Sequence, residues 1–141
     1  MRVLGIDVGD RRLGLAISDP SLTLARPLST LAVNGIENAV DRVAPEIERL
    51  AAEEDGLTSI VVGLPTRLDG SPNEQTARVA AFIANLAART RLPIVGVDER
   101  LTSREAESRL ALGERDWRRR KARLDRAAAA IILQDYLDRR M

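Results

Sequence analysis

The chain opens with an apolar strand that contains one acid and runs directly into a turn. Residues 3–8 have the aliphatic and β-branched composition of a strand buried on both faces, and Asp7 is their only charged residue. Gly9 and Asp10 provide the turn, and alternating apolar residues over 12–17 then predict a second strand. An ionised carboxylate in such a strand is costly unless a cation or several hydrogen-bond donors meet it. Asp7 therefore either carries a function or accepts backbone amides at the strand end.

The remaining pattern predicts an α/β fold. A third strand over 22–31 would complete an antiparallel meander, with Pro27 at an edge or a bulge because proline cannot donate to a ladder. Apolar runs predict two more strands at 57–64 and 93–98, and helical periodicity predicts helices at about 36–54, 72–89, 102–112 and 121–139. Residues 113–119 are the most loop-like segment.

Polar residues and prolines mark the predicted helix ends. Asn34 is placed to cap the first helix, and Pro45 inside that helix predicts a kink or two abutting helices. The second helix has a start signal made of Ser71 as N-cap, Pro72 at the first helical position and Glu74 after them.

Crossover helices make the later strands parallel. The sequence therefore predicts one domain, 1–141, with a five-stranded mixed sheet (three antiparallel strands, then parallel strands) flanked by helices.

Acids end the first and the last of these strands. Ligands in such sheets bind at the carboxyl ends of strands, where Asp7 and the pair Asp98 and Glu99 would share one edge. Asp125 lies near the start of the last helix, next to a stripe of small apolar residues, and could converge on the same edge. Carboxylates this close repel one another, and an oxygen-bound Mg²⁺ or Mn²⁺ ion would remove the repulsion. The chemistry available to such a site is phosphoryl transfer or phosphodiester hydrolysis.

The composition removes several other chemistries. The chain has no Cys and no His, which excludes disulfides, thiolate nucleophiles, sulfur-bound zinc and all imidazole catalysis. Catalysis must therefore rest on carboxylates, Lys, Arg, hydroxyls, backbone amides or a hard metal ion. No apolar stretch reaches membrane length and no charged-then-apolar leader precedes the first strand, so we expect a cytoplasmic protein with no membrane partner.

Positive charge is concentrated late in the chain. Residues 100–126 hold ten basic and five acidic residues, a net charge of about +5 on a chain whose total is +1. This asymmetry predicts a side that faces a polyanion, the alternative being a solvated Arg-rich helix surface. Aromatic residues make up only 2% of the chain, which favours recognition of backbone shape over stacking on bases.

Four separated blocks resemble the YqgF family over nearly the whole chain. They are Gly5-Ile6-Asp7-Val8-Gly9 with Arg12-Leu13-Gly14-Leu15-Ala16, Val62-Gly63-Leu64-Pro65 with Asp69-Gly70, Asp98-Glu99-Arg100-Leu101-Thr102, and Lys121-Ala122-Arg123-Leu124-Asp125 leading to 129–133. Members of this family are called pre-16S rRNA nucleases and are also described as Holliday junction resolvase-like. The resemblance implies a ribonuclease H-like fold and a metal-dependent nuclease that acts on the leader end of precursor 16S ribosomal RNA in the bacterial cytoplasm.

Carried onto this sequence, the resemblance assigns the acidic site to Asp7, Asp98, Glu99 and Asp125. We expect Asp7, Glu99 and Asp125 to bind Mg²⁺ or Mn²⁺, with Asp98 as a further ligand or a neighbour of the ligands. Phosphates on either side of the cleaved bond would be held by basic residues, namely Arg67, Arg100, Arg104, Arg118, Arg119, Arg120, Lys121 and Arg123. The expected partners are structured RNA and ribosomal precursor particles, and the expected state is a monomer or weak dimer.

Three alternative functions are open on the sequence. A Holliday junction resolvase acting on branched DNA would use the same acids, and a stable dimer would favour it. A ribosome-assembly factor would bind RNA through the Arg-rich segment without chemistry, and would tolerate the loss of the Asp7 charge. Sugar kinases and actin-like ATPases share the Gly-Ile-Asp-x-Gly opening but need a second, duplicated domain, for which 141 residues leave no room.

Overall fold

A computed structural model describes residues 1–65, 73–98 and 117–140, with the backbone alone for 117–126. Its strands are β1 (Arg2–Val8), β2 (Arg12–Ser18), β3 (Ala25–Ala32), β4 (Leu57–Leu64) and β5 (Ile94–Asp98). Its helices are α1 (Gly35–Ala52), α2 (Glu74–Ala87) and α3 (Trp117–Arg139). In the described part of the chain, no helix is long and apolar enough to cross a membrane.

The five strands form one mixed sheet in the order β3-β2-β1-β4-β5. β1, β2 and β3 pair antiparallel, whereas β1, β4 and β5 pair parallel. The predicted α/β class and the five-stranded mixed sheet are therefore confirmed. β1 lies at the centre, where the two kinds of pairing meet, and its apolar residues are buried on both faces as the sequence indicates.

Helices cover both faces of the sheet. α1 and α2 pack on one face, where side chains such as Val43, Ile47 and Phe82 join Leu4 and Ile6 of β1 in one apolar core. α3 packs on the other face, and its buried side chains are Ala129, Ile132, Leu133 and Leu137. Ala127, Ala128 and Ile131 of the same helix are half-buried.

Glycine at position 5 allows α3 to approach β1 closely. A Cβ built on Gly5 would lie 2.8 Å from Leu133 Cβ and 3.2 Å from the carbonyl oxygen of Ala129. Carbon atoms in contact are normally about 3.5–4.0 Å apart, so no larger residue fits without moving the helix. Gly5 therefore sets the distance between the first strand and the last helix.

The third strand begins later than predicted. It starts at Ala25, because 19–24 form a loop in which the Asp19 carboxylate accepts hydrogen bonds from Thr23 and Leu24 backbone N–H groups at 2.8 and 2.9 Å. Pro27 lies on this edge strand, at the point where the register with β2 shifts. Both parts of the expectation for Pro27, an edge or a bulge, are confirmed.

The first helix differs from the prediction at its cap and at its proline. Asn34 occupies the cap position, but its side chain makes no capping bond; its backbone N–H instead donates to the Asn38 side chain at 2.7 Å. α1 continues through Pro45 as one helix rather than two. Pro45 and Asp41, whose carbonyl loses its helical donor, are both exposed, so water can satisfy that carbonyl.

The other helices begin at different residues from those predicted. α2 begins at Glu74 with Asn73 as its N-cap, in a reciprocal box with Thr76, so the start signal assigned to Ser71 and Pro72 was wrong. Ser71 and Pro72 themselves lie outside the described residues. α3 begins at Trp117, so residues 117–119 are helical and not loop. The predicted helix at 102–112 lies outside the described residues.

Candidate active site

Asp7 is the next-to-last residue of β1 and is half-buried. It lies on the α3 face of the sheet, because Gly5, two residues earlier, meets α3 on that face. Gly14 of β2 is its direct partner, and the pairing of Ile6 with Val62 puts Gly63 of β4 on its other side. Asp7 therefore has a residue without a side chain beside it on each neighbouring strand.

Asp7 opens into a polar cleft at the β1–β2 turn. This cleft has a volume of about 340 Å³ and is lined by Asp7, Gly9, Asp10, Arg11, Arg12, Gly14 and Thr30. The turn is tight, since the Gly9 N–H donates to the Arg12 carbonyl at 2.8 Å and a Cβ on Gly9 would lie 2.9 Å from that oxygen. The Asp10 carboxylate accepts a hydrogen bond from Arg78 of α2. The cleft therefore combines one half-buried acid with two arginines.

Asp98 is the last residue of β5, and like Asp7 it lies at the carboxyl end of its strand, two strands away in the sheet. A Cβ on Gly96 would meet Leu64 and Ile83, so the alternation of β5 puts Asp98 on the α2 face, where it is exposed. Asp7 and Asp98 thus share an edge but lie on opposite faces. Glu99, the next residue, lies outside the described part of the chain, as do Arg67, Arg100 and Arg104.

The first turns of α3 hold the remaining predicted site residues. Their backbone is helical at all of these positions, and their side chains lie outside the described residues: Arg118, Arg119, Arg120, Lys121, Arg123 and Asp125. Gln134, later in the helix, binds the Ala25 N–H and the Thr23 carbonyl, both at 2.9 Å, beside the Ser18 end of β2. Ala129 meets Gly5, nearer the end of β1. α3 therefore runs antiparallel to β1, with its start toward Asp7.

Without His and Cys, the donors that this chain offers to a hard metal ion are oxygen atoms. Among the described residues, no three acids come together as a metal cluster. The half-buried carboxylate of Asp7, with glycine on both sides, does fit a hard divalent ion as one ligand of a larger set. The other two expected ligands are Glu99 and Asp125. Glu99 and the side chain of Asp125 lie outside the described residues.

Three residues of the cleft were missed by the sequence reasoning. Arg11 and Arg12 follow the turn directly, and the signal for them in the sequence is a pair of adjacent arginines next to a strand acid. Thr30 could not be found in this way, because only the register of β3 with β2 brings it opposite Gly14.

Comparison with known proteins agrees with this architecture. The family model RuvX, described as Holliday junction resolvase, matches residues 1–139. A protein of Chloroflexus aggregans is 44% identical over 139 residues (98% of this chain, 94% of the relative), and one of Roseiflexus sp. (strain RS-1) is 39% identical over 137 residues (97% and 94%). Both relatives carry the name "Putative pre-16S rRNA nuclease".

Solved structures support the fold. The RuvC of T. thermophilus, solved in complex with a Holliday junction substrate, has a TM-score of 0.54 at 19% identity and covers 100% of this chain and 96% of its own. The fowlpox virus Holliday junction resolvase has a TM-score of 0.57 at 13% identity, with 100% of both chains covered. These likenesses confirm the predicted ribonuclease H-like fold. Because the family model matches residues 1–139 of the 141, the chain belongs to the RuvX family, for which YqgF is another name.

Proposed function

We propose that this chain is a divalent-metal-dependent endonuclease that hydrolyses phosphodiester bonds at the 5′ end of precursor 16S rRNA. The observation that carries the proposal is Asp7, half-buried between two glycines and opening into a cleft with two arginines. The names of the relatives and of the family model supply the substrate class, a structured nucleic acid. Processing of ribosomal precursor particles would place the protein in the cytoplasm.

The register between β1 and α3 supports a role for Asp125. Gly5 meets Ala129, and the two elements run antiparallel. Asp125 precedes Ala129 and Leu133, the helix residues that meet Gly5, by about one and two turns, so Asp125 lies toward the Asp7 end of β1. We therefore assign Asp7 and Asp125 to the same metal site.

The acids at positions 98 and 99 have different roles in the proposal. Asp98 lies on the α2 face, away from Asp7. We therefore assign the third ligand to Glu99, the next residue, as the family resemblance implies. In this proposal Asp98 is not a metal ligand; it adjoins Glu99 and positions the end of β5. When bound, Mg²⁺ or Mn²⁺ would make water nucleophilic and neutralise charge on the phosphate.

The protein groups around the site have to bind and orient the nucleic acid. We assign the flanking phosphates to a basic set consisting of Arg67, Arg100, Arg104, Arg118, Arg119, Arg120, Lys121 and Arg123. Guanidinium groups suit this role because they bind phosphate oxygens in a bidentate manner. Branched DNA is the second candidate substrate, since the family model is described as a Holliday junction resolvase.

A cleavage assay with two substrates tests the proposal. The purified full chain is incubated with a precursor 16S RNA fragment and with a four-way DNA junction, in Mg²⁺, in Mn²⁺ and after EDTA. Asp7→Asn removes the central charge with little change in shape, and the expected result is loss of cutting with binding retained. The substrate that the wild type cuts decides between RNA processing and junction resolution.

Asp41→Asn provides the matched control. Asp41 is an exposed α1 residue that pairs with Arg89 at 2.9 Å, away from the cleft. Such surface pairs contribute little to stability, so this variant should cut at the wild-type rate. Binding without cutting of either substrate by the wild type, in both metals, would contradict the nuclease proposal and favour an RNA-binding assembly factor.

A further inference from the structure

The geometry points to a phosphate-binding subsite formed by Arg11, Arg12 and Thr30, which holds the nucleic-acid phosphate next to the one that is cleaved. The inference rests on the proposed function and extends it, because it adds three residues and a substrate direction to the site. The group recognised is a backbone phosphodiester, which two guanidinium groups and a hydroxyl can bind together.

The strand register places these residues beside Asp7. Asp7 pairs with Gly14, and Gly14 pairs with Thr30, so the three form a row across β1, β2 and β3. Directly paired residues of antiparallel strands point to the same face, which here is the α3 face. Adjacent strands are about 4.8 Å apart, so Thr30 lies roughly 10 Å from Asp7 across the sheet. Arg12 precedes Gly14 by two residues and shares that face.

The backbone holds both arginines firmly while their side chains face solvent. The carbonyl of Arg12 accepts from Gly9 at 2.8 Å, and the carbonyl of Arg11 accepts from Val33 at 2.9 Å. Arg11, Arg12 and Thr30 are all exposed, and they line the same cleft as Asp7. Because the turn is already ordered, binding a phosphate requires ordering of the side chains but not of the backbone.

The charges of the cleft favour an anion at this end. Asp10 is the other acid in the lining, and its carboxylate already accepts from Arg78. Arg11 and Arg12 bring two guanidinium groups to the end of the cleft that faces β3. A substrate strand whose cleaved phosphate lies at Asp7 would therefore place its neighbouring phosphate toward β2 and β3.

The salt dependence of binding tests this subsite. Fluorescence anisotropy with a labelled precursor 16S RNA fragment gives Kd over a range of NaCl concentrations, in an Asp7→Asn background that prevents cutting. Arg11→Ala and Arg12→Ala should each reduce the slope of log K against log salt by about 1, the value of one lost phosphate contact. Thr30→Val should keep the slope and raise Kd roughly threefold.

Two further variants make the test specific. Arg91→Ala removes an exposed arginine that precedes β5 at the opposite edge of the sheet, and it should leave slope and Kd unchanged. Arg12→Lys keeps the charge but not the bidentate geometry, so it should keep the slope and raise Kd. If Arg12→Ala fails to fold, as judged by circular dichroism, Arg11→Ala and Arg12→Lys decide the question.

The outcomes separate the subsite from the proposed function. Unchanged slopes in folded Arg11→Ala and Arg12→Ala proteins would overturn the subsite, even if the wild type cuts its substrate. Reduced slopes in a protein that cuts neither RNA nor junction DNA would support the subsite and reject the nuclease. Reduced slopes, together with cutting by the wild type and a raised KM when the two arginine variants are made without the Asp7→Asn change, would support both.

Discussion

The close contact between α3 and β1 can be tested by a substitution that adds one methyl group at position 5. Gly5→Ala would put a Cβ 2.8 Å from Leu133 Cβ, which is close to the helix backbone and cannot rotate away. Relief requires α3 to move by about 1 Å, since such atoms prefer roughly 3.5–4.0 Å. Overpacking of this kind costs about 1–3 kcal/mol. For 141 residues the unfolding entropy is about 0.3 kcal/mol/K, so Tm should fall by about 3–10 °C.

The same movement should reduce activity, because α3 carries Asp125, which we propose as a metal ligand. A displacement of about 1 Å at a catalytic group can lower the rate by up to roughly 100-fold. Gly5→Ala should therefore lower kcat in the cleavage assay at temperatures where the variant is still folded. Thermal melts followed by circular dichroism give Tm, and single-turnover cleavage gives the rate of the chemical step.

Gly96→Ala is the matched control on the other face of the sheet. Its Cβ would lie 2.5 Å from Leu64 Cδ1, the far end of a flexible side chain that can rotate aside. Replacing glycine in an extended strand also removes about 0.4–1 kcal/mol of unfolded-state entropy, so the net change should be close to zero. A Gly5→Ala protein with the Tm and kcat of Gly96→Ala would refute the close approach of α3 to β1.

Three smaller predictions follow from local contacts. Asn73→Ala removes the N-cap of α2 and should cost about 1 kcal/mol in chemical denaturation. Ser18→Ala leaves the buried N–H of Val3, which donates to Ser18 Oγ at 2.8 Å, without that partner, and should cost about 1–3 kcal/mol in the same assay. Hydrogen bonds from Ser21 and two backbone amides lower the pKa of Asp19 from 3.8 to about 2, so its stabilising contribution is present above pH 3.8 and is lost as the pH falls through about 2. An NMR titration of its carboxyl carbon should show this midpoint, and Ser21→Ala should raise it; a midpoint near 3.8 in the wild type would contradict the loop geometry.

Helix ends show the limit of local sequence signals. Ser71 and Asn73 are both good N-cap residues, and each is followed three positions later by a plausible partner. The structure selects Asn73, where the partner Thr76 also donates to the carbonyl of Pro65 at the end of the preceding strand segment. That second bond is a tertiary contact, so no pattern within the helix could have predicted it.

The start of α3 differs for another reason. Residues 117–119 lack apolar periodicity, and the prediction therefore placed them in a loop. Arginine is nevertheless a good helix former, so the Arg-rich run can extend a helix that is anchored by its buried later turns. Periodicity detects the part of a helix that packs, and it misses a part that is held by propensity and continuity alone.

The sequence by itself determined the α/β class, the mixed sheet and the position of Asp7, because burial alternates along strands and crossovers force parallel pairing. It also determined the available chemistry, since a chain without His and Cys leaves carboxylates and arginines. Only the tertiary structure decided that Asp98 lies on the opposite face from Asp7, and that Thr30 lies in line with Asp7. Both facts depend on register between segments far apart in the chain, and a shift of one residue would reverse every side chain on a strand.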